Sequence, residues 1–328
     1  MPRANPYRPF TPDPKQSERV PEISGNAING LGDTTFRRPD VVYWAPDPAT
    51  ISHGPMQDYF YMRSNEVDGF AKARARRLKI NEAPLPPIAD SPAQRSPRNW
   101  TTALERFVQS GLCEKVGVTE MNPDWAYAGQ TVTQTRVIIA GVQHAYDAIQ
   151  TAPAPEAGLE VVRQYTRAGA AAKAITAWLH EQGWAAEAVT GPLTGSITLI
   201  PPALACGFGE LGKHGSIINP EMGASFRLSA VLTDAPFAPT PRQSHGVDDF
   251  CQNCRICEDA CPPEALSPDK QTVRGETKWY VDFDKCVPFF NETHGCAICI
   301  AVCPWSRPGV GLNLAAKLAR RAQRKETA

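Results

Sequence analysis

The sequence predicts a mixed α/β chain of about two domains, and three observations predict it. Its 328 residues, 42% of them hydrophobic, suffice for a sizeable core and a second unit. Strand-like apolar runs lie on either side of a long helical stripe in the middle of the chain. A register of eight cysteines, Cys251, Cys254, Cys257, Cys261, Cys286, Cys296, Cys299 and Cys303, comes after a proline-rich linker near the end.

Residues 1 to about 100 carry much of the proline and little sustained periodicity, so they read as an arm that wraps a domain. Residues 98–110 (RNWTTALERFVQS) form a helix ending at Gly111, and 132–142 (VTQTRVIIAGV) form a buried strand. From 156 to 182, Val161, Tyr165, Ala168, Ala172, Ile175 and Leu179 recur at steps of three and four, which is one face of a helix, and Gly183 supplies the stop. Strands are expected at 196–200 and at 226–233 (FRLSAVLT), flanking a glycine-rich loop. Residues 236–246 (PFAPTPRQSHG) are linker by composition, and a short amphipathic helix runs from 312 to about 323. The only internal repetition is the pair of cysteine runs.

The first cysteine run, CQNCRICEDACP, has the C-x2-C-x2-C-x3-C-P spacing of bacterial iron-sulfur ligation. Three thiolates on one tight loop supply three corners of a 4Fe-4S cubane, and the fourth comes from elsewhere. In two-cluster ferredoxins the last cysteine of each run crosses to the other cluster. That rule assigns Cys251, Cys254, Cys257 and Cys303 to one cluster and Cys261, Cys286, Cys296 and Cys299 to the other. Both runs end in Cys-Pro, where a residue with fixed φ and no donor suits the turn away from the metal. A zinc ribbon has no use for two C-x3-C-P endings, and a disulfide framework does not suit a long chain with no secretory signal. Cys113 and Cys206 lie outside the register and read as small buried hydrophobes.

Lys+Arg 34 balances Asp+Glu 34, so no global field draws the chain to nucleic acid or anionic lipid. The basic runs 72–79 (KARARRLK) and 317–325 read as solvated helix faces. No apolar run approaches the ~18 residues of a membrane helix. The N-terminus carries neither a Sec signal nor a convincing twin-arginine one, which leads to the expectation of a cytoplasmic protein. Gly207-Phe208-Gly209-Glu210-Leu211-Gly212 matches G-x-G-x-x-G, yet Pro201-Pro202 precede it and Gly215, Pro220 and Gly223 interrupt the stretch where a helix would have to open. It is therefore not a dinucleotide site but closely spaced backbone able to approach a flat or bulky ligand.

The combination of RQYTRAGAAAKAITAWLHEQGW, GPLTGSITLIPPALACGFGELGKHGSIINPEMGASFRLSAVLTD, CQNCRICEDACP and KCVPFFNETHGCAICIAVCPW resembles the cobalamin-dependent reductive dehalogenases, and more distantly epoxyqueuosine reductase. The resemblance runs from about residue 120 to 310. It implies a nitroreductase-like corrinoid domain (121–240) wrapped by residues 1–120, a ferredoxin-like domain with two 4Fe-4S clusters (241–310), and a tail (311–328). It implies base-off cobalamin lying near the loop 205–219, with Cys206, Gly207, Gly209, Gly212, Lys213, His214, Gly215 and Ser216 as its contacts. His214 is then a loop or tail contact and not a cobalt ligand.

The resemblance also implies Tyr165 as proton donor and Arg227 as its tuner. A phenol, with reference pKa ~10, is a poor acid unless its anion is stabilised, and a guanidinium does that. On the residues alone, Tyr165 sits on an apolar stripe and reads as core packing. Epoxyqueuosine reductase places an acid immediately before this tyrosine, where the chain has Gln164, which cannot donate a proton usefully and argues against that enzyme; action on tRNA is the alternative reading, and a plain two-cluster electron carrier is another. Aromatic residues Trp44, Tyr59, Phe60, Tyr61, Trp125 and Tyr127 are candidates for walling an aromatic-sized pocket. With no fused reductase module after Cys303, the expected partners are an external ferredoxin, flavodoxin or flavin reductase and a small-molecule substrate.

Overall fold

The computed structural model describes residues 5–326; the first four residues of the proline-rich arm and the last two of the tail lie outside it. Its centre is a four-stranded antiparallel sheet of β1 (Lys115–Glu120), β2 (Arg136–Gln143), β3 (Ala186–Val189) and a strand that comes after two short ones, β4 (Glu210–Leu211) and β5 (Ile217–Ile218), and is here β6 (Phe226–Thr233). The spatial order is β1-β2-β6-β3. Register is fixed end to end, with Arg136 opposite Thr233 and Gln143 opposite Phe226. The sheet begins at Lys115, ahead of the domain boundary expected at 121.

β2 is buried on both faces, and its side chains divide with period two. Ile138, Ala140 and Val142 meet the Pro155–Glu181 helix, while Val137 and Ile139 meet a second layer containing Phe208 and Cys206. The helix approaches closely because its contact face is small: Ala168, Ala171 and Ala172 are at most 1% exposed, and the Ser229 hydroxyl donates to the Ala168 carbonyl at 2.7 Å. On the other face, a Cβ at Gly141 would stand 2.5 Å from the Phe208 ring, so glycine is what lets that ring lie on the sheet. The helix ends at Gly183, whose φ is +79°.

One expected element is different. Residues 196–200 form no strand: Ile197 makes a single bridge to Ala126, and a helix begins at Ile200 and runs to Ala205. Pro201 and Pro202 sit in its first turn, where their missing N–H groups need no partner.

The cysteine-bearing segment is helical and short-stranded. Cys251 lies on Val247–Asn253, Cys257 on Ile256–Ala260, Cys286 on Phe283–Glu292 and Cys299 on Ile298–Ala301, with a hairpin of β7 (Gln271–Val273) and β8 (Glu276–Lys278) between. The proline-rich arm crosses to this segment. Arg8 donates to the Cys261 and Glu258 carbonyls, and Gln16 donates to the Pro288 carbonyl and accepts from Asn291. Asn291 in turn accepts from the Tyr43 hydroxyl at 2.7 Å. Farther along, the Phe70–Glu82 helix packs on Pro155–Glu181.

Candidate functional site

Two adjoining cavities lie where β6 begins, where the 190–195 loop leaves β3, and where the arm and the Phe283–Glu292 helix close over both. The larger is about 500 Å3 and the smaller about 270 Å3. Trp44, Tyr165, Pro192, Arg227 and Phe290 line both and form the wall between them.

The fold dictates why Tyr165 and Arg227 meet there. On β6 the side chains of Arg227, Ser229 and Val231 share the face that the long helix covers, and Ser229 is bonded to Ala168. Two residues back along the strand is Arg227, and one turn back along the helix is Tyr165. The Arg227 guanidinium carbon stands 5.0 Å over the centroid of the Tyr165 ring, and its Nε is buried with no partner. Thus the predicted apolar stripe splits. Ala168, Ala172, Ile175 and Leu179 are core, whereas Tyr165 meets Arg227 beyond the last pairing of β3, Val189 with Ala230, and faces the cavities. Gly191 makes room for the ring, since a Cβ there would lie 2.6 Å from Tyr165 Cε1. Gln164, by contrast, is buried and lines neither cavity. It donates to Glu160 at 2.7 Å and accepts from Arg167 at 2.9 Å.

The larger cavity has thin, mainly apolar walls. Gly191, Pro192 and Gly195 come from the loop after β3, and Ser216 and Ile217 from the β4–β5 hairpin. Phe283, Cys286, Val287 and Phe290 recur at helical spacing on one face of Phe283–Glu292. Trp44 holds φ +62°, unusual for a bulky residue, and its carbonyl accepts from Thr194 N–H at 2.8 Å, joining the arm to the loop. Of the loop residues expected to touch a flat cofactor, Ser216 alone reaches this cavity. Cys206 is fully buried in the second core layer, where burial pushes its thiol up to about 12. Gly207 and Gly209, both at positive φ, abut the Pro241 and Ile218 carbonyls. Gly212 bonds Ser216 across the hairpin, and Gly215 turns its tip at φ +75°.

Lys213 and His214 point the other way, into a void walled by Cys251, Cys254, Cys257 and Cys303. Lys213 is ion-paired with Glu258 in the interior, its Nζ 5.0 Å over the Trp279 ring. Burial lowers the His214 imidazole to about 4, and its Nδ1 accepts from Ser216 N–H at 3.2 Å. Burial likewise raises Cys257 to about 12, with Cys303, Cys251 and Cys254 adding to it. A second set gathers apart from the first: burial raises Cys286 to about 12, aided by Cys296 and Cys261, and raises Cys299, aided by Cys296, Cys286 and Cys261. The structure thus brings together Cys251, Cys254, Cys257 and Cys303 in one place, and Cys261, Cys286, Cys296 and Cys299 in another. The sets abut through Cys257, Cys261, Cys286 and Cys299, which share one apolar cluster. Such buried thiols fit iron, because bonding to the metal removes the proton that burial retains. Among the described residues, no group of three or more His, Cys, Asp or Glu is arranged to hold a single metal ion.

Sequence reasoning missed the arginines of the smaller cavity. Within the run 72–79, Arg74 and Arg77 turn inward beside Tyr61, Phe70 and His294. The expected aromatic wall is partly there: Trp44, Phe60 and Tyr61 line the smaller cavity and Tyr127 the larger, while Tyr59 is core at 1% exposure and Trp125 packs behind the sheet.

An α+β core carrying two cysteine sets, one of them in the wall of a large cavity, is the frame of a two-cluster redox protein, and known proteins share it. Residues 250–306 match the 4Fe-4S dicluster domain. The tetrachloroethene reductive dehalogenase of Desulfitobacterium hafniense is 32% identical over 218 residues, 62% of this chain and 39% of that protein. A solved reductive dehalogenase, described as acting by B12-dependent dehalogenation, superposes with a TM-score of 0.66 at 19% identity, over 91% of this chain and 46% of that one. Epoxyqueuosine reductase of Staphylococcus aureus is 32% identical over 114 residues, 33% of this chain and 28% of that protein. The chain is similar in sequence to reductive dehalogenases and shares the fold of a solved one, and it spans about two-fifths of the length of the curated relatives it matches (39%). No helix among the described residues is long and apolar enough to cross a membrane.

Proposed function

We propose that this protein is a cobalamin-dependent reductase that replaces halide by hydrogen on an organohalide, with a halogenated aromatic as the favoured class. One observation carries the reading: Tyr165 and Arg227 form the wall between two cavities, and Cys286 of the second cysteine set lies in the larger of them. The larger cavity suits a flat macrocycle because its walls are glycine, proline and aliphatic surface. Ser216 supplies a polar contact in that wall, and the corrinoid is taken as base-off by the family resemblance. A corrinoid there, with clusters on Cys251, Cys254, Cys257, Cys303 and on Cys261, Cys286, Cys296, Cys299, would supply two electrons at low potential to the carbon–halogen bond.

The chain's own residues do the rest. Carbon that receives two electrons and loses halide must also gain one proton. Tyr165, on the shared wall, donates it from its hydroxyl, and Arg227 against the ring face stabilises the phenolate left behind. Solvent then returns the proton. Trp44, Phe290 and Pro192 close the wall and keep water from the reacting carbon. Gln164, turned away into its network with Glu160 and Arg167, offers no acid for the epoxyqueuosine reaction. Cys254, the half-buried member of the first set, suits entry of electrons from an external ferredoxin, flavodoxin or flavin reductase.

Anaerobic reconstitution with iron, sulfide and cobalamin tests the reading. It requires about eight irons and one cobalt per chain, and halide release from a panel of halophenols under a strong reductant. Full iron loading with no cobalt retained would reduce the protein to an electron carrier, and turnover of epoxyqueuosine RNA in place of halophenols would move it to the tRNA enzymes.

A further inference from the structure

The void walled by Cys251, Cys254, Cys257 and Cys303 is also lined by His214 and Trp305, and each of these rings carries an N–H that finds no acceptor among the described residues. His214 is 5% exposed, and its Nδ1 is already taken up, accepting from the Ser216 N–H at 3.2 Å. The imidazole hydrogen therefore sits on Nε2, which is buried without a partner. Trp305 is 1% exposed, and its Nε1–H, a donor and never an acceptor, is buried without a partner as well. The fold holds both rings where they are. A Cβ at Gly212 would stand 2.9 Å from His214 Cε1, so glycine there gives the imidazole its room, and Phe250 meets the Trp305 ring edge-on at 5.6 Å.

A buried donor without an acceptor is costly, and two of them on one small void call for an acceptor inside it. The thiolates and sulfides of a cubane are acceptors of that kind. The main chain around the void is turned to the same use. The Lys213 N–H donates to the Cys251 sulfur, and the Trp305 and Ser306 N–H groups donate to that of Cys303. The Lys213 ammonium is near too, but Glu258 pairs with it, so the hydrogen bonds are the part of this lining that a cluster alone completes.

Resting on the two-cluster part of the reading above, and on neither cobalamin nor the substrate, we propose that His214 Nε2 and Trp305 Nε1 donate hydrogen bonds to sulfur of the first cluster and thereby raise its reduction potential. When that cluster takes one electron from the external carrier, no bond forms or breaks, but the negative charge on its sulfurs grows. A donor bonds more strongly to the more negative acceptor, so both rings favour the reduced form. The cluster that bears the half-buried Cys254 is thus the easier to charge. The GKHGS turn, singled out in the sequence as a contact for a flat cofactor, serves the iron instead.

Potentiometric titration of the reconstituted holoenzyme, followed by electron paramagnetic resonance with iron measured on the same sample, tests the assignment without turnover. In His214→Phe and in Trp305→Phe the reduced-to-oxidised ratio of one cluster at a fixed potential should fall about tenfold, which is a midpoint about 59 mV lower, while the other cluster's midpoint stays. The double variant should fall further than either. His214→Gln, which keeps an N–H, should recover part of the loss. Unmoved midpoints at full iron overturn the proposal. Equal movement of both midpoints also overturns it, because donors on one cysteine set cannot act equally on the other. Electron–nuclear double resonance on the wild type, with isotope-labelled histidine and tryptophan, must show a ring nitrogen of each coupled to a reduced cluster. Absence of that coupling overturns the proposal even where a phenylalanine variant fails to assemble its iron. Wild-type protein that holds far fewer than about eight irons takes down the cluster reading and this proposal with it, whereas unmoved midpoints at full iron sink the proposal alone.

Discussion

Replacing Gly191 by alanine would set a methyl group 2.6 Å from Tyr165 Cε1 and 3.1 Å from Cδ1. Ordinary contact begins near 3.4 Å, so the ring must retreat by about 1 Å. It has little freedom to do so without leaving Arg227, which stands 5.0 Å from its centroid on the shared wall. A misplacement of about 1 Å in a catalytic group costs on the order of a hundredfold in rate, or ~2.7 kcal/mol in barrier. Overpacking costs ~1–3 kcal/mol of stability besides. The assay is halide release under a strong reductant at saturating substrate, with iron and cobalt measured on the same sample. The expected result is kcat down about a hundredfold with both metals retained and the unfolding midpoint modestly lower. Wild-type kcat in a folded, metal-replete Gly191→Ala variant would refute the reasoning, because the hydroxyl would then work equally well from a displaced ring.

Tyr165→Phe should lower turnover by a factor of ~10²–10⁴, the worth of one general acid, while iron and cobalt stay bound; retained activity removes it as donor. Cys303→Ser should cost about half the iron, and the first cluster's spectroscopic signal should be the one lost although Cys303 lies far along the chain from Cys251; loss of the second cluster's signal instead would reverse the assignment. Lys213→Met strands Glu258 in the interior and should destabilise by ~3–5 kcal/mol in urea unfolding, toward the lower end because Arg255 still stands 3.4 Å from that carboxylate; an unchanged midpoint would mean water reaches the pair. His144 is buried and held well below the usual imidazole range, first by burial and then by the Arg227 charge. The folded state therefore takes up this proton less readily than the unfolded chain, whose imidazole titrates near ~6.5. Its contribution is full above that pH and is lost as pH falls below it, so His144→Asn should lose less stability than wild type between about pH 7 and 5, and equal losses would contradict this.

The cysteine spacing by itself named both sulfur sets, because a cubane requires thiolates from one tight loop plus one from outside it. The apolar run at 226–233 likewise placed β6, and helical spacing placed a helix over 156–182 where the structure has Pro155–Glu181, since burial on one face leaves a repeat that can be counted. In three places the structure departs from what pattern, resemblance or charge led one to expect. Residues 196–200 were apolar enough for a strand, but the prolines at 201 and 202 favour the first turn of a helix. Lys213 and His214 were expected beside the flat cofactor, yet the hairpin turn at Gly215 directs them to the first cysteine set and leaves Ser216 for the cavity. Arg74 and Arg77 sat in a run whose charge pattern reads as solvent-facing, and nothing local distinguishes them from Arg76.

What the sequence determined alone was pattern carried within one short segment: which sulfurs group together, which stretches bury a face, where proline and glycine turn the chain. The tertiary structure decided everything that depends on the end of an element. Tyr165 and Ala168 belong to one apolar stripe, and the end of β3 at Val189 leaves the second in the core and the first on the wall of a cavity. Whether an arginine meets water or a buried ring depends on what packs over its helix, and for Arg74 and Arg77 that is the Pro155–Glu181 helix and the arm, segments tens of residues away in sequence.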